Sequence, residues 1–281
     1  MLKQCIDSVI EFTDYKNYEI IVVDNGSTPE NKTIIETYLS GVNATYIYNK
    51  FDFNFSEICN LGVTVAKGDF LMFLNDGIEI FQPDWLSRML GQAQQPHTGA
   101  VGAKLFCPGT VNLQGNGIYI GHNGPEYSFK QSNDTVAHYF GFNWLATNTI
   151  AVTGDCLLVS TEKFREAGYF DKRYADMYSD IKLCFDLYSR GYYNVTRNDV
   201  VAYHHRFCND DFVDKSEMNI VRTEQNKYRL FADYPQFKTN DPFINCHMAG
   251  YQETLNLKNI TDRIAEIDLT DCISAEDGSV D

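Results

Sequence analysis

Two short apolar runs, each cut off by a polar turn, constrain this chain most. Ile20, Ile21, Val22 and Val23 run into Asp24-Asn25-Gly26-Ser27, and Phe70, Leu71, Met72, Phe73 and Leu74 run into Asn75-Asp76-Gly77. Runs with no polar face read as strands buried in a sheet that helices cover on both sides. Segments with helical spacing stand between them, and that alternation predicts an α/β fold with a mostly parallel central sheet and helices on both faces.

Leu2, Cys5, Ile6, Val9 and Ile10 share one face at helical spacing, so 2–12 is predicted as an amphipathic helix ahead of a strand over 19–23. In Ser27-Thr28-Pro29-Glu30 a capping hydroxyl precedes proline and an acid in the first turn, which opens a second helix. Strand 44–48, helix 55–66, strand 69–74, helix 83–94 and strand 100–105 follow. Residues 109–148, rich in Gly, Asn and Tyr, read as irregular loops and short antiparallel strands over the sheet. Beyond them come strand 151–160, helix 161–167, helix 179–190 stopped by Gly191, strand 200–204, a helix over 214–231, the turn at Asn240-Asp241-Pro242 and an acidic tail.

At 281 residues and 44% hydrophobic content the chain can bury a substantial core, as one large domain or two intimately packed halves. The apolar runs fall far short of the ~20 residues that cross a bilayer, so no transmembrane helix is expected. Met1-Leu2-Lys3-Gln4-Cys5 lacks the features of a secretory signal, and the sequence reads as cytoplasmic. Cys5, Cys59, Cys107, Cys156, Cys184, Cys208, Cys246 and Cys272 stand singly, without metal or redox spacing, and read mainly as reduced core residues. A formal net charge of -15 argues against a nucleic-acid partner. An acidic protein that binds a diphosphate would be expected to use a divalent cation.

Ligands of open parallel sheets bind beyond the carboxyl ends of the strands. Taken alone, Asp24-Asn25-Gly26-Ser27 reads as a strand-to-helix turn with a capping serine. The second polar strand end at Asn75-Asp76 favours a nucleotide pocket, where Asp and Asn can hydrogen-bond a base and ribose.

An ordered series of motifs resembles the inverting family 2 glycosyltransferases of the GT-A (Rossmann-like) fold. It comprises Tyr18-Glu19-Ile20-Ile21-Val22-Val23-Asp24-Asn25-Gly26-Ser27, Asn60-Leu61-Gly62 with Ala66-Lys67-Gly68, Phe73-Leu74-Asn75-Asp76 with Pro83-Asp84-Trp85-Leu86, and Gly99-Ala100-Val101-Gly102-Ala103-Lys104. It continues through Gly168-Tyr169-Phe170-Asp171, Ser179-Asp180 with Leu183-Cys184, Arg190-Gly191-Tyr192 and Tyr203-His204. The series is most similar to the bacterial branch that builds rhamnose-containing and other surface polysaccharides. The resemblance implies a nucleotide-sugar-binding half at 1–105, an acceptor-binding and catalytic half at 106–208, and a C-terminal helical extension with an acidic tail at 209–281.

The resemblance also implies roles. Asp24, Asn25, Asn60, Asn75 and Asp76 would surround the nucleotide of a nucleoside-diphosphate sugar. Asp76, with His204, would hold Mn or Mg against the diphosphate. Asp180 would be the base that deprotonates the acceptor hydroxyl; without the resemblance it reads first as a helix-start acid favoured by the macrodipole. Gly154 and Asp155 would line the site of a glycan or lipid-linked acceptor, through which the protein could associate with a membrane surface.

Three departures stand against this pattern. The family's first strand, with its Pro-x-Tyr-Asn-like turn, has no counterpart before the first helix, so a further chain segment is a possible source of it. Gly77 stands where the last metal-binding Asp is expected, and Lys182 where a second acid often follows the base. They keep open a second reading, a catalytically degenerate binding or scaffold domain. A nucleotidyltransferase ranks third, because no Gly-rich phosphate loop with Arg or Lys lies near the start.

Overall fold

A computed structural model describes residues 1–121, 123–206, 217–238 and 240–244, with 217–220 as backbone. In chain order the first half holds α1 (Leu2–Phe12), β1 (Ile20–Asp24), α2 (Pro29–Leu39), β2 (Ala44–Tyr48), α3 (Phe55–Val63), β3 (Phe70–Leu74), β4 (Ile78–Ile80), α4 (Trp85–Ala93) and β5 (Thr98–Phe106). The second holds β6 (Leu113–Gly115), β7 (Ile118–Gly121), β8 (Gly124–Tyr127), β9 (Thr147–Thr149), β10 (Cys156–Ser160), α5 (Thr161–Glu166), α6 (Ser179–Ser189) and β11 (Tyr193–His204); α7 (Glu217–Asp233) follows. Local chemistry sets the helix starts. Thr28 Oγ1 accepts from the Asn31 N–H at 3.3 Å with Pro29 in the first turn of α2, and Asn54 Oδ1 accepts from the Glu57 N–H at 3.0 Å to open α3.

The large sheet runs β3-β10-β5-β11-β4, with β6 on β5 and β9 on β11. β3, β5 and β11 run the same way, because β10 is antiparallel to both β3 and β5 while β5 and β11 are parallel. One core lies on each face. On one, Val63 and Leu71 pack with Leu157, Leu183, Phe185 and Leu230; on the other, Ile78, Trp85 and Met89 pack with Val101, Leu158 and Ala202. The two expected halves therefore share both cores, and Leu230 docks α7 onto the first.

β1 and β2 form a separate parallel pair. Helices link that pair to the main sheet. In α1, Ile6 packs with Val22 and Leu39 while Cys5 packs in the core with Ile78 and Trp85. In α3, Gly62 lies so close to β1 that an added Cβ would sit 3.2 Å from Val23 Cγ2, while Val63 packs with Leu71 of β3. Among the described residues, β1 has no partner strand on its side away from β2, and β3 has none on its side away from β10.

Three elements differ from the sequence reading. β10 starts at Cys156, because 152–155 leave the sheet as a loop. β11 starts at Tyr193 rather than residue 200, although its first half is polar. Asn194 explains this: wholly buried, it accepts from the Ala100 N–H and donates to the Ile150 and Cys184 carbonyls, each at 3.0 Å. β4 is three residues long, too short for a periodic signal, and Ser8 Oγ accepts its Ile80 N–H at 3.0 Å. Residues 207–216, with Cys208 and the start of the helix expected from 214, and the tail from residue 245 onward, with Cys246 and Cys272, lie outside the described residues. Among the described residues no helix is long and apolar enough to cross a membrane.

Candidate active site

Sheet register brings the end of β3, the loop before β10, the end of β11 and the start of α6 to one place. Cys156 lies opposite Leu74, so the chain on either side is tied where the strands end: the Asn75 N–H donates to the Asp155 carbonyl at 2.9 Å. His204 lies opposite Ile78. The turn between β3 and β4 closes on itself, with Asn75 Oδ1 accepting from the Gly77 N–H at 2.9 Å.

Asp180 enters from α6. The residue two before it, Tyr178, is held at φ 70°, a left-handed conformation that strains a non-glycine residue. Asp180 Oδ2 accepts from the Gly154 N–H at 2.7 Å and Oδ1 from the Ile181 N–H at 2.9 Å. Burial pushes its pKa up to about 6 against those two hydrogen bonds, with the neighbouring Asp155 charge adding to the rise. The result is a carboxylate that is ionised at neutral pH yet more basic than usual.

Asp155 sits in a chain of hydrogen bonds. The Tyr127 hydroxyl donates to Thr153 Oγ1 at 3.0 Å, and Thr153 Oγ1 donates to Asp155 Oδ2 at 2.9 Å. That same oxygen lies 3.9 Å from His204 Nδ1. Burial raises the Asp155 pKa, opposed by the Thr153 hydrogen bond and by Arg206. His204 is fully buried. Gln114 donates its Nε2–H to the Arg206 carbonyl at 2.9 Å, so its Oε1 faces His204 Nδ1, 2.8 Å away, as acceptor. Burial, then the Arg206 and His205 charges, hold the His204 pKa down to about 4, which leaves the ring neutral at neutral pH.

Asp76 faces a cation. Arg206 Nη2 lies 3.0 Å from Asp76 Oδ1 and 3.2 Å from Oδ2, with both side chains 39% exposed. Asp76 and His204 are the side chains on which the divalent ion is expected, and here Asp76 is engaged by Arg206. Asp76 is the turn's one carboxylate, Asn75 Oδ1 is committed to the Gly77 N–H, and His204 donates its Nδ1–H to Gln114, which makes Nε2 the ring nitrogen that carries the lone pair. A hard cation held through one carboxylate takes its remaining oxygens from a diphosphate and water. Among the described residues no three His, Cys, Asp or Glu side chains are grouped to hold a metal.

The other expected nucleotide residues serve their own loops. The buried Asp24 accepts from the Ser27 N–H at 2.8 Å and the Tyr46 hydroxyl at 2.7 Å. Burial pushes its pKa up, but these hydrogen bonds outweigh that and hold it below the usual range. Asn25 Nδ2 donates to the Asn49 and Phe51 carbonyls at 3.2 and 3.1 Å, fixing the loop after β2. That loop leads to Phe55, whose ring abuts Gly154. Asn60 is turned away from the strand ends: Nδ2 donates to the Phe170 carbonyl at 2.8 Å and Oδ1 accepts from the Phe170 N–H at 3.1 Å. Lys182 bonds Asp186 at 2.5 Å, one turn along α6.

The sequence reading passed over Arg206, Tyr127 and Gln114. A base two residues beyond His204, at a strand end, was a usable signal for Arg206. Gln114 and Tyr127 lie in the aperiodic stretch before β10 and had none.

Residues 1–168 match the family model described as Glycosyl transferase family 2. The chain is 31% identical over 258 residues to the uncharacterized protein y4gI of Sinorhizobium fredii, covering 89% of this chain and 28% of that protein. It is 32% identical over 256 residues to the O-antigen biosynthesis protein RfbC of Myxococcus xanthus, covering 88% of this chain and 19% of RfbC. The chain thus spans less than a third of either relative. Among solved structures it is similar in fold to the mannosyltransferase PcManGT from Pyrobaculum calidifontis in complex with GDP-Man and Mn2+, with a TM-score of 0.55 and 16% identity, covering 84% of this chain and 60% of that one. It is similar also to GalNAc-T7 with UDP, GalNAc and Mn2+, with a TM-score of 0.63 and 14% identity, covering 84% of this chain and 46% of that one.

Proposed function

The chain belongs to glycosyl transferase family 2, and from that premise we propose that it moves a sugar from a nucleoside-diphosphate donor to a glycan or lipid-linked acceptor with inversion at the anomeric carbon. One observation carries the reading. Asp180, a half-buried carboxylate with a pKa raised to about 6, is aimed by a backbone N–H at the end of the sheet where the strand-end polar groups meet.

The acceptor hydroxyl oxygen attacks the anomeric carbon as Asp180 takes its proton. The bond from that carbon to the diphosphate oxygen breaks on the opposite face, and its electron pair leaves with the nucleoside diphosphate. A single displacement of this kind inverts the centre. Gly154 and Asp155 line the acceptor side, one by holding Asp180 and the other by presenting a second carboxylate. Asp24, Asn25 and Asn75 shape the loops against which the nucleoside packs, and Asn60 steadies α3 behind them. A segment supplying a strand between β1 and β3 belongs to the same reading.

The names of the relatives support this substrate class: RfbC is named for O-antigen biosynthesis, and two solved structures of this fold hold GDP-Man or UDP. A donor panel with nucleoside diphosphate release as the readout tests the activity. Asp180→Asn should reduce transfer by at least about a hundredfold while donor binding persists; undiminished turnover would remove Asp180 from the role of base. The detached β1–β2 pair favours a second reading, a domain that binds the donor without transferring it. Donor binding by the wild-type chain with no release across donors and acceptors would select that reading.

A further inference from the structure

The loop over 133–145 turns its polar groups inward and its apolar side chains out. The buried Lys104 of β5 donates from Nζ to Asp134 Oδ2 at 2.6 Å and to the Asn143 carbonyl at 2.9 Å. The Asn143 side chain is buried too: it donates to Asp134 Oδ1 at 2.8 Å and to the Val136 carbonyl at 3.0 Å, and accepts from the His138 N–H at 2.8 Å. Trp144 Nε1 donates to the Asp134 carbonyl at 2.9 Å, and Asn198 of β11 donates to the Phe142 and Leu145 carbonyls at 2.9 and 2.7 Å.

What this frame holds out in water is apolar. Val136 is 57% exposed, Phe140 91%, Trp144 46% and Leu145 57%. Tyr139, Phe140 and Gly141 follow one another at φ 40°, 57° and 85°, so two non-glycine residues are kept in a sparsely populated conformation with the Phe140 ring outside. Trp144 lies against the same turn, since a Cβ on Gly141 would stand 4.0 Å from Trp144 Cε3. Apolar side chains grouped in this way on a surface mark a face that leaves water on binding.

Charge and size select what receives it. From Thr135 to Gly154 the sequence has no Asp, Glu, Lys or Arg, in a chain of net charge -15. We infer that 136–145 is a docking tip that seats Val136, Phe140, Trp144 and Leu145 in the interfacial layer of a zwitterionic phospholipid bilayer. An anionic bilayer would repel the acidic body of the chain. A protein partner, a second copy included, would be expected to cover ~800 Å² on each side, and even a fully buried aromatic supplies only ~150–250 Å², so four partly exposed side chains fall short. A glycan needs hydrogen-bonding groups beside the aromatic faces, whereas Asp134, Asn143 and the Trp144 N–H are spent inside the loop. A bilayer surface asks only for apolar area and an aromatic at the boundary. A chain docked in this way meets a lipid-linked acceptor at its own surface; that consequence rests on the reading above, while the docking does not require transfer.

The test uses the full chain with vesicles of phosphatidylcholine, alone or mixed with phosphatidylglycerol. Trp85 is 2% exposed, so of the two tryptophans Trp144 is the one a lipid can reach. Phosphatidylcholine with brominated chains should quench part of the wild-type tryptophan emission. Phe140→Ala should weaken sedimentation with phosphatidylcholine vesicles by at least about tenfold, Leu145→Ser should weaken it as well, and Phe140→Ala should leave Tm unchanged because the ring supports no packing. Added phosphatidylglycerol should not strengthen binding. The inference is overturned by an absence of quenching and sedimentation, by binding that both substitutions leave intact, or by binding that appears only with phosphatidylglycerol. It is overturned equally if these substitutions abolish a dimer, or binding to a soluble glycan, in a chain that ignores vesicles. Nucleoside diphosphate release, followed in parallel, separates the two readings: docking without release across the donor panel keeps the inference and removes transfer, and release without docking does the reverse.

Discussion

The Gly154 N–H and the Asp180 carboxylate meet at 2.7 Å, and the contact depends on residue 154 having no side chain. A Cβ there would stand 3.2 Å from Asp180 Cβ and 3.4 Å from both Asp180 Oδ2 and Phe55 Cζ. Gly154→Ala should therefore displace Asp180 by a few tenths of an ångström. Small misplacements of a reacting group are expensive, so kcat should fall by roughly tenfold with donor affinity little changed, as steady-state kinetics beside calorimetry would read. A fall in donor affinity with kcat preserved would contradict it.

Asp180 also sets a pH dependence. Its ionised form is the base, so transfer should rise with pH through about 6 and then level off. Stability follows the opposite sign. The folded pKa of about 6 lies above the ordinary 3.8, so the native state holds this proton more tightly than the unfolded chain. The resulting stabilisation is complete below about pH 4 and is lost as pH rises through about 6. Asp180→Asn escapes that loss, so the variant's Tm relative to wild type should climb between pH 4 and pH 8. A difference that stays flat across this window would mean that Asp180 titrates normally.

Thr153 is the middle of the chain from Tyr127 to Asp155. Thr153→Val keeps its shape and leaves the Tyr127 hydroxyl without an acceptor and Asp155 Oδ2 without a donor. Such unsatisfied buried groups cost about 1 to 3 kcal/mol. Chemical denaturation should show a loss in that range, and Thr153→Ser should recover most of it. Equal losses for valine and serine would assign the effect to packing.

Asn194 holds β5, α6 and the strand region at Ile150 together with three hydrogen bonds in a fully buried position. Asn194→Ala leaves the Ala100 N–H without its acceptor and takes a donor from the Ile150 and Cys184 carbonyls, so a loss of about 1 to 3 kcal/mol is expected, measured as a lower denaturant midpoint at unchanged slope. A change below about 0.5 kcal/mol would show that these groups find other partners.

The strands of the first half were legible because burial on both faces leaves near-continuous apolar runs, as at Phe70–Leu74, and the cap at Thr28 marked its helix by chemistry alone. β11 was half hidden because Asn194 and Thr196 are buried polar residues whose partners are distant in sequence, which no local pattern encodes. The site divides the same way. Asp76, Asp180 and His204 stand at element ends where the sequence places them, while Asp155, read inside a strand over 151–160, lies in the loop before β10. Their partners do not follow from spacing: Arg206 reaches Asp76 from the end of β11 beside β4, and Gln114 reaches His204 from the three-residue strand β6. Asn60 shows the converse, a residue set in a recognisable motif whose amide is closed on the Phe170 backbone.

The separation of β1–β2 from the large sheet has a consequence for how the molecule breathes. Among the described residues its strands share no backbone ladder with β3, and side-chain packing from α1, α2 and α3 holds them. Such a unit can open sub-globally while the rest stays folded. On the proposed reading the nucleoside packs against this pair and the acceptor against the large sheet, so a ligand that bridges the two would slow amide exchange in β1 and β2 before it altered anything in β5 or β11.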